Sequence, residues 1–277
     1  MPPVFAVCFS TFVPMPDLLQ DTNKLLQGYF DKVLVLTVPR FRERQEKVKQ
    51  RLEGISFEFF YGTDKNELTD AIISREYQYD KKNSLAVRQY FPPLNSGEIA
   101  CSLSHRMIYQ AIVDHNWKRV LILEDDVVPD PANLHHLRNC LEELPPDWEL
   151  FYLGYLKNED RSPGKKLKQA WYSFMAMLGL SHMPGRMLRN RLPVSFSEHL
   201  WKAGFHDCTH AYAISYTGAK KLLAAQTPVI QRADNLLSLL VLKDELKAFT
   251  SKKFLFNQEV FTDNTDQSFI REKWANQ

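Results

Sequence analysis

The sequence predicts an α/β fold, with a mostly parallel central sheet flanked by helices, and three observations point to it. Short apolar runs of strand type recur along the 277 residues. Polar, helix-favouring segments separate them, which is the alternation of βαβ units. One of the runs ends in three consecutive carboxylates, Glu124-Asp125-Asp126, and open α/β sheets bind ligands at the carboxyl ends of their strands.

The elements follow in order. Residues 1–30 stand apart as an N-terminal extension. Met1 to Val13 is apolar but lacks a basic start and a clear cleavage site, so secretion is disfavoured. Its Val4 to Phe9 portion reads as a strand or an arm packed on the domain. Val33 to Val38 is a buried strand closed by Pro39, and Phe41 to Leu52 is an exposed helix stopped by Gly54. Phe57 to Tyr61 is a second strand, which completes a βαβ unit with parallel strands. Residues 65–95 are polar and without a clear period. Ser96-Gly97-Glu98 starts a helix in which Ile99, Leu103, Met107, Ile108, Ala111 and Ile112 recur at helical spacing.

Arg119 to Leu123 is the strand that carries the acids. A short helix from about Asn133 to Glu143 and a strand from Trp148 to Gly154 follow. Thr209 to Ser215 is a strand, Gly218 to Gln226 a helix and Asp234 to Leu242 another. No repeat or low-complexity linker divides residues 1–277, which predicts a single domain.

Within it, residues 155–205 are an insertion of different character. From Arg161 to Ser197 there is no acid, and basic clusters flank an apolar, Met-rich run from Trp171 to Leu180. The stretch is a candidate for an acceptor-side loop or for peripheral contact with an anionic membrane. The plainer reading is a solvated insertion with an apolar helix packed on the core.

Hydrophobic residues make up 44% and charged residues 25%, and the formal net charge is +2. That balance excludes a nucleic-acid binder on electrostatics alone. Cys8, Cys101, Cys140 and Cys208 lie far apart with no CxxC pair. This disfavours a zinc site and a disulfide scaffold and points to a reducing, cytoplasmic setting, with the inner face of the membrane as the peripheral alternative. No run approaches the ~18 apolar residues of a membrane span.

Three acids together at a strand end repel one another and are hard to explain as packing. A divalent cation would relieve the repulsion, and hard oxygen ligands suit magnesium or manganese. Such an ion needs few protein ligands where phosphate oxygens supply the rest, so the local reading is a metal-diphosphate site. A solvated acidic turn is the alternative.

Four features together resemble glycosyltransferase family 25, which includes bacterial lipopolysaccharide galactosyltransferases and collagen galactosyltransferases. They are Val38-Pro39-Arg40-Phe41-Arg42-Glu43-Arg44, Gly97-Glu98-Ile99-Ala100-Cys101-Ser102-Leu103-Ser104-His105, Leu123-Glu124-Asp125-Asp126-Val127, and the Ala211 to Leu222 segment. Their order matches over about residues 31–240; Ala100 departs from the family's usual glycine. The resemblance implies a GT-A type nucleotide-binding fold and an Mn2+ (or Mg2+) ion. It also implies inverting transfer of a hexose, commonly galactose, from a UDP-sugar to a hydroxyl of a glycan, glycolipid or protein acceptor.

Such a transfer needs charge stabilisation for the departing diphosphate and a base for the acceptor hydroxyl. Glu124 and Asp126 alternate along the strand and point to one side, so Asp126 is the leading metal candidate and Glu124 a candidate for metal or donor ribose. Asp125 faces the other way and orients its neighbours or only packs. Asp234 is the first candidate for the base, against a helix N-cap as the plain reading. Glu98 is the second, in a first helical turn where an acid is favoured anyway. Arg40, Arg44, Asp64 and His105 are candidate donor-binding residues; an exposed helix arginine, a turn aspartate and a core histidine are the ordinary alternatives.

Two rival readings remain. A catalytically inactive sugar-nucleotide-binding protein would keep the fold without turnover. A receiver-like signalling domain also places acids at a strand end, but near the start of a shorter domain and without the Gly97 to His105 motif.

Overall fold

A computed structural model describes residues 15–87, 93–156, 162–181 and 183–259. The expected Val4 to Phe9 arm and Arg161 lie outside the described residues. Helix α1 (Met15–Tyr29) belongs to the extension and buries Leu19 and Leu26 in the core. Strand β1 (Lys32–Thr37), crossover helix α2 (Arg42–Arg51) and strand β2 (Glu58–Tyr61) form the expected parallel unit. Gly54 ends α2's turn at a φ of 89°, a left-handed conformation that suits glycine.

Two short helices, α3 (Asp70–Glu76) and α4 (Lys81–Val87), occupy the polar stretch before the long helix α5 (Ser96–Asp114). A capping box starts α5: Asn95 accepts the N–H of Glu98, and Glu98 accepts the N–H of Asn95. Strand β3 (Arg119–Glu124) follows, then the acid turn and β4 (Val127–Pro129). The helix expected over 133–143 begins as a 3-10 turn and becomes α6 only at Leu137–Glu143. Strand β5 is Leu150–Leu156.

Helices α7 (Pro163–Met177) and α8 (Gly185–Arg189) and the short strands β6 (Val194–Ser195) and β7 (Leu200–Lys202) build the insertion. Strand β8 (Asp207–Ser215), helices α9 (Tyr216–Ala225) and α10 (Ala233–Leu242), and strands β9 (Ala248–Ser251) and β10 (Phe256–Gln258) complete the described chain. No helix among the described residues is long and apolar enough to cross a membrane.

The eight-stranded sheet has the order β2-β1-β3-β8-β5-β9-β7-β6, and β10 pairs with β4 outside it. Six of the eight strands run one way; β8 and β7 run against them. The central strands are apolar on both faces because helices cover both. In β3, Leu121 and Leu123 enter one core with α1, α2 and α6, while Val120 and Ile122 enter the other with α5, α9 and α10. This alternation fixes which side chains reach the carboxyl edge, since a one-residue slip would reverse every face.

Two glycines permit close approach there. A Cβ at Gly154 would stand 2.2 Å from His210 Nε2, and one at Gly62 would stand 2.3 Å from Ser104 Oγ. The second contact lets α5 lie directly against the end of β2, where Ser104 Oγ accepts the N–H of Thr63 at 2.9 Å.

Candidate active site

The carboxyl ends of β1, β2 and β3 meet the amino end of β8 at one edge of the sheet. There β1 and β3 pair Leu36 with Glu124, so Thr37 and the acid turn are neighbours. Thr37 Oγ1 donates to Asp125 Oδ2 at 2.6 Å. Arg44, from the first turn of α2, brings Nη2 within 2.7 Å of Asp125 Oδ1 and 3.4 Å of Asp126 Oδ2. The repulsion inferred from sequence is thus relieved in part by a guanidinium of the chain itself. Arg44 was a donor-binding candidate, and the structure places it first as the partner of the acids.

The three carboxylates occupy different environments. Burial pushes the Asp125 carboxyl up, against the pull of Arg44 and Thr37. Burial also pushes Asp126 up, to about 7, and the charge of Glu124 adds to this. Burial opposes ionisation of Glu124 too, but the contacts of His105 and Thr209 and the charge of His210 outweigh it and hold Glu124 low. Ionised Glu124 beside a reluctant Asp126 is the pattern of two interacting acids in a partly buried site. Asp126 Oδ1 is buried and has no hydrogen-bond partner among the described residues, while Oδ2 accepts from Gln258 Nε2 at 3.4 Å.

Glu124 is braced from two sides. Thr209 Oγ1 donates to Oε1, and His105 Nε2 lies 3.5 Å from the same atom. Behind His105 runs a buried chain: its Nδ1 meets Tyr212 OH at 2.8 Å, and Tyr212 OH meets Tyr109 OH at 3.0 Å. The Gly97 to His105 motif therefore has a physical reading. Ser104 holds the β2 end, Ser102 Oγ donates to Gln231 O at 3.0 Å, and His105 reaches Glu124.

The two base candidates separate. Glu98 is engaged in the capping box and in a short ion pair with Arg232, where it clamps α5 to the start of α10. Asp234 is the second residue of α10, whose N-cap is Arg232, so the plain N-cap alternative does not hold for it. Its Oδ1 accepts the N–H of Asn235 at 2.7 Å and its Oδ2 that of Cys208 at 3.3 Å. Cys208 is held at a φ of 68° and directly precedes Thr209, which braces Glu124. A non-glycine residue in this conformation is strained, and such strain concentrates at functional sites.

Arg40 and Asp64 come together at the neighbouring strand ends. Arg40 Nε donates to Asp64 Oδ2, and Asp64 Oδ1 accepts the N–H of Asn66 at 2.9 Å. Sequence reasoning missed Thr37, Thr209, Cys208, Tyr212 and Arg232. Tyr212 sits inside a quoted motif, and the apolar character of its strand gave no sign of a hydroxyl partner more than a hundred residues away.

Among the described residues no group of three or more His, Cys, Asp or Glu surrounds a point that a metal would fill. The donor set fits a cation in a more limited way. Asp126 offers one buried, unshared hard oxygen, and Glu124 offers an ionised carboxylate beside it. Magnesium-type sites draw on one or two carboxylates plus substrate phosphates, so two acids suffice for such an ion.

These features define the class of α/β protein that gathers charged side chains at the carboxyl edge of its sheet, where such folds hold ligands. The model of glycosyltransferase family 25 (LPS biosynthesis protein) matches residues 30–237, and the chain belongs to that family. Procollagen galactosyltransferase 1-A of Xenopus laevis is 25% identical over 228 residues, covering 78% of this chain and 31% of its own length. Human procollagen galactosyltransferase 2 is 23% identical over 208 residues, covering 71% and 28%. Probable inactive glycosyltransferase 25 family member 3 of Bos taurus is 26% identical, covering 71% and 29%. The chain thus spans under a third of the length of these curated relatives. Mouse xyloside xylosyltransferase 1 in its apo form is a distant structural likeness, with a TM-score of 0.38 and 12% identity, covering 83% of this chain and 78% of that one.

Proposed function

We propose that the chain is a metal-dependent, inverting glycosyltransferase that moves a hexose, galactose by preference, from a UDP-sugar to a hydroxyl of a glycan, glycolipid or protein acceptor. The observation that carries this reading is the unshared, buried Oδ1 of Asp126 beside ionised Glu124 at the carboxyl edge of the sheet, in a chain of this family.

Asp126, with Glu124 beside it, would hold a manganese or magnesium ion, which supplies positive charge where the diphosphate departs. Arg44 keeps the acid turn from repelling an anionic donor. Arg40 and Asp64 face the nucleoside end, Arg40 with its guanidinium and Asp64 with a carboxylate suited to ribose hydroxyls. Asp234 takes the proton of the acceptor hydroxyl as that oxygen bonds to the anomeric carbon and the bond from that carbon to the diphosphate breaks. A single displacement of this kind inverts the anomeric centre. His105 and Thr209 position Glu124 and do not touch the reacting atoms.

A second reading, a sugar-nucleotide binder without turnover, is favoured by one observation: a relative of comparable identity is named probable inactive. Thermal melting tests the donor class first. UDP with manganese is expected to raise the melting temperature, UDP with a chelator far less, and GDP with manganese far less, because any ligand that binds only the folded state stabilises it. No shift with UDP and manganese contradicts both readings; a shift without transfer from UDP-galactose favours the second.

A further inference from the structure

The apolar side of helix α7 faces outward. Leu167, Trp171, Phe174 and Leu178 fall on one line along the helix and its C-cap, at spacings of four, three and four. They are 47–74% exposed. Met177 and Leu180, at 75% and 67%, extend the same surface. The inward side is polar and small: Gln169 donates to the carbonyls of Leu188 and Arg189, and Ala176 lies 3.8 Å from the position of a Cβ on Gly185. No residue of α7 is buried. The alternative drawn from sequence, an apolar helix packed on the core, is therefore corrected: the core side of α7 is the polar one.

Charge selects what covers the stripe. Lys166 and Lys168 stand about 100° to either side of Leu167 at 3.6 residues per turn. They border the apolar line on both edges, and no acidic residue occurs between 162 and 197. A lysine-edged apolar stripe with a tryptophan in it matches a helix lying in a bilayer interface, where lysine stems cover apolar surface and the ammonium groups meet lipid phosphates. A second copy of this chain seated on the same face would offer these lysines no acidic partner, since the stretch holds none.

We propose that α7 is a membrane-docking helix that seats its Leu167–Leu178 stripe in the interface of an anionic lipid bilayer. This inference does not depend on the reaction assigned to the site.

The test is co-sedimentation of the full chain with vesicles. The wild type is expected to sediment with vesicles of phosphatidylcholine and phosphatidylglycerol in equal parts, and far less with pure phosphatidylcholine. Lys166→Gln with Lys168→Gln should lower the partition about tenfold or more, since each cation near an anionic surface contributes severalfold. Leu167→Glu with Trp171→Glu should abolish binding and leave the thermal melt unchanged, because both side chains are exposed. Failure of the wild type to bind anionic vesicles at low salt overturns the proposal. So does equal binding by the Glu double variant, or a wild-type dimer that this variant renders monomeric.

Discussion

Arg44 Nη2 lies 2.7 Å from Asp125 Oδ1, and this ion pair joins the first turn of α2 to the acid turn after β3. Asp125 is buried, and Thr37 Oγ1 fills the position on its other oxygen. The pair therefore does structural work at the centre of the site. It fixes the backbone from which Glu124 and Asp126 project.

Arg44→Gln is expected to leave a buried carboxylate without its cation. Breaking a buried pair by removing one partner costs about 3–5 kcal/mol, and the partial exposure of Arg44 lowers the expectation to about 2–3 kcal/mol. Urea unfolding measures it. Adding Asp125→Asn should recover part of the loss, because the unpaired charge is then gone. A loss in the range of a surface ion pair, below about 1 kcal/mol, would show that the contact is not what holds the turn.

The same relationship shows what was legible in the sequence. Strands β1, β2, β3, β5 and β8 and helix α5 were readable because buried strands and amphipathic helices write their period locally, whereas β4, β6, β7, β9 and β10, of two to four residues each, were not. The acid cluster was readable because three adjacent carboxylates have no packing explanation of their own. Their partners were not. Thr209 bonds Glu124 across 85 residues of sequence, and Arg44 meets Asp125 across the β1-α2-β3 layer. Such contacts follow from sheet order, in which β8 lies antiparallel beside β3, and no local pattern encodes that order. The helices α3 and α4 were missed for a related reason: each has seven residues, too few to show a period. The outward stripe of α7 was visible as apolar residues, but its direction was not.

His210 should give stability a measurable pH dependence. Burial holds its pKa below the ordinary value of 6.5, against the charge of Glu124 and the Phe256 carbonyl. The folded state thus refuses a proton that the unfolded chain accepts. The His210 contribution to stability is intact above about pH 6.5 and is lost as pH drops below it, while Asp126, pushed up to about 7, contributes in the opposite sense over the same range. Urea unfolding of the wild type and of His210→Asn at neutral pH and at about pH 5 checks this, since the carboxylates are common to both proteins and the difference between the two isolates His210. The variant should lose less stability between the two conditions. An identical loss would remove His210 as the cause.

Asp234→Asn should separate chemistry from binding. Asparagine keeps one carbonyl oxygen for the Asn235 N–H and weakens only the longer contact to Cys208. Transfer to acceptor is expected to fall about a hundredfold or more, the usual worth of a general base. Affinity for UDP with manganese should stay close to that of the wild type. A parallel loss of UDP binding would mark Asp234 as part of the donor site, and normal turnover would remove it from the reaction.

The most direct measurement is the rate of manganese-dependent transfer and hydrolysis of UDP-galactose by the wild type and by Asp126→Asn, with thermal melts of both. Asparagine preserves the shape of Asp126 and removes the charge of the acid that, alone among the described residues, has a buried carboxylate oxygen without a hydrogen-bond partner. The expected result is a rate lower by roughly a thousandfold, since lost stabilisation of the leaving group costs several kcal/mol of barrier, together with an unchanged or slightly raised melting temperature. Activity within about tenfold of the wild type, or a wild-type rate indifferent to manganese and chelator, would contradict a site in which Asp126 serves the departing diphosphate.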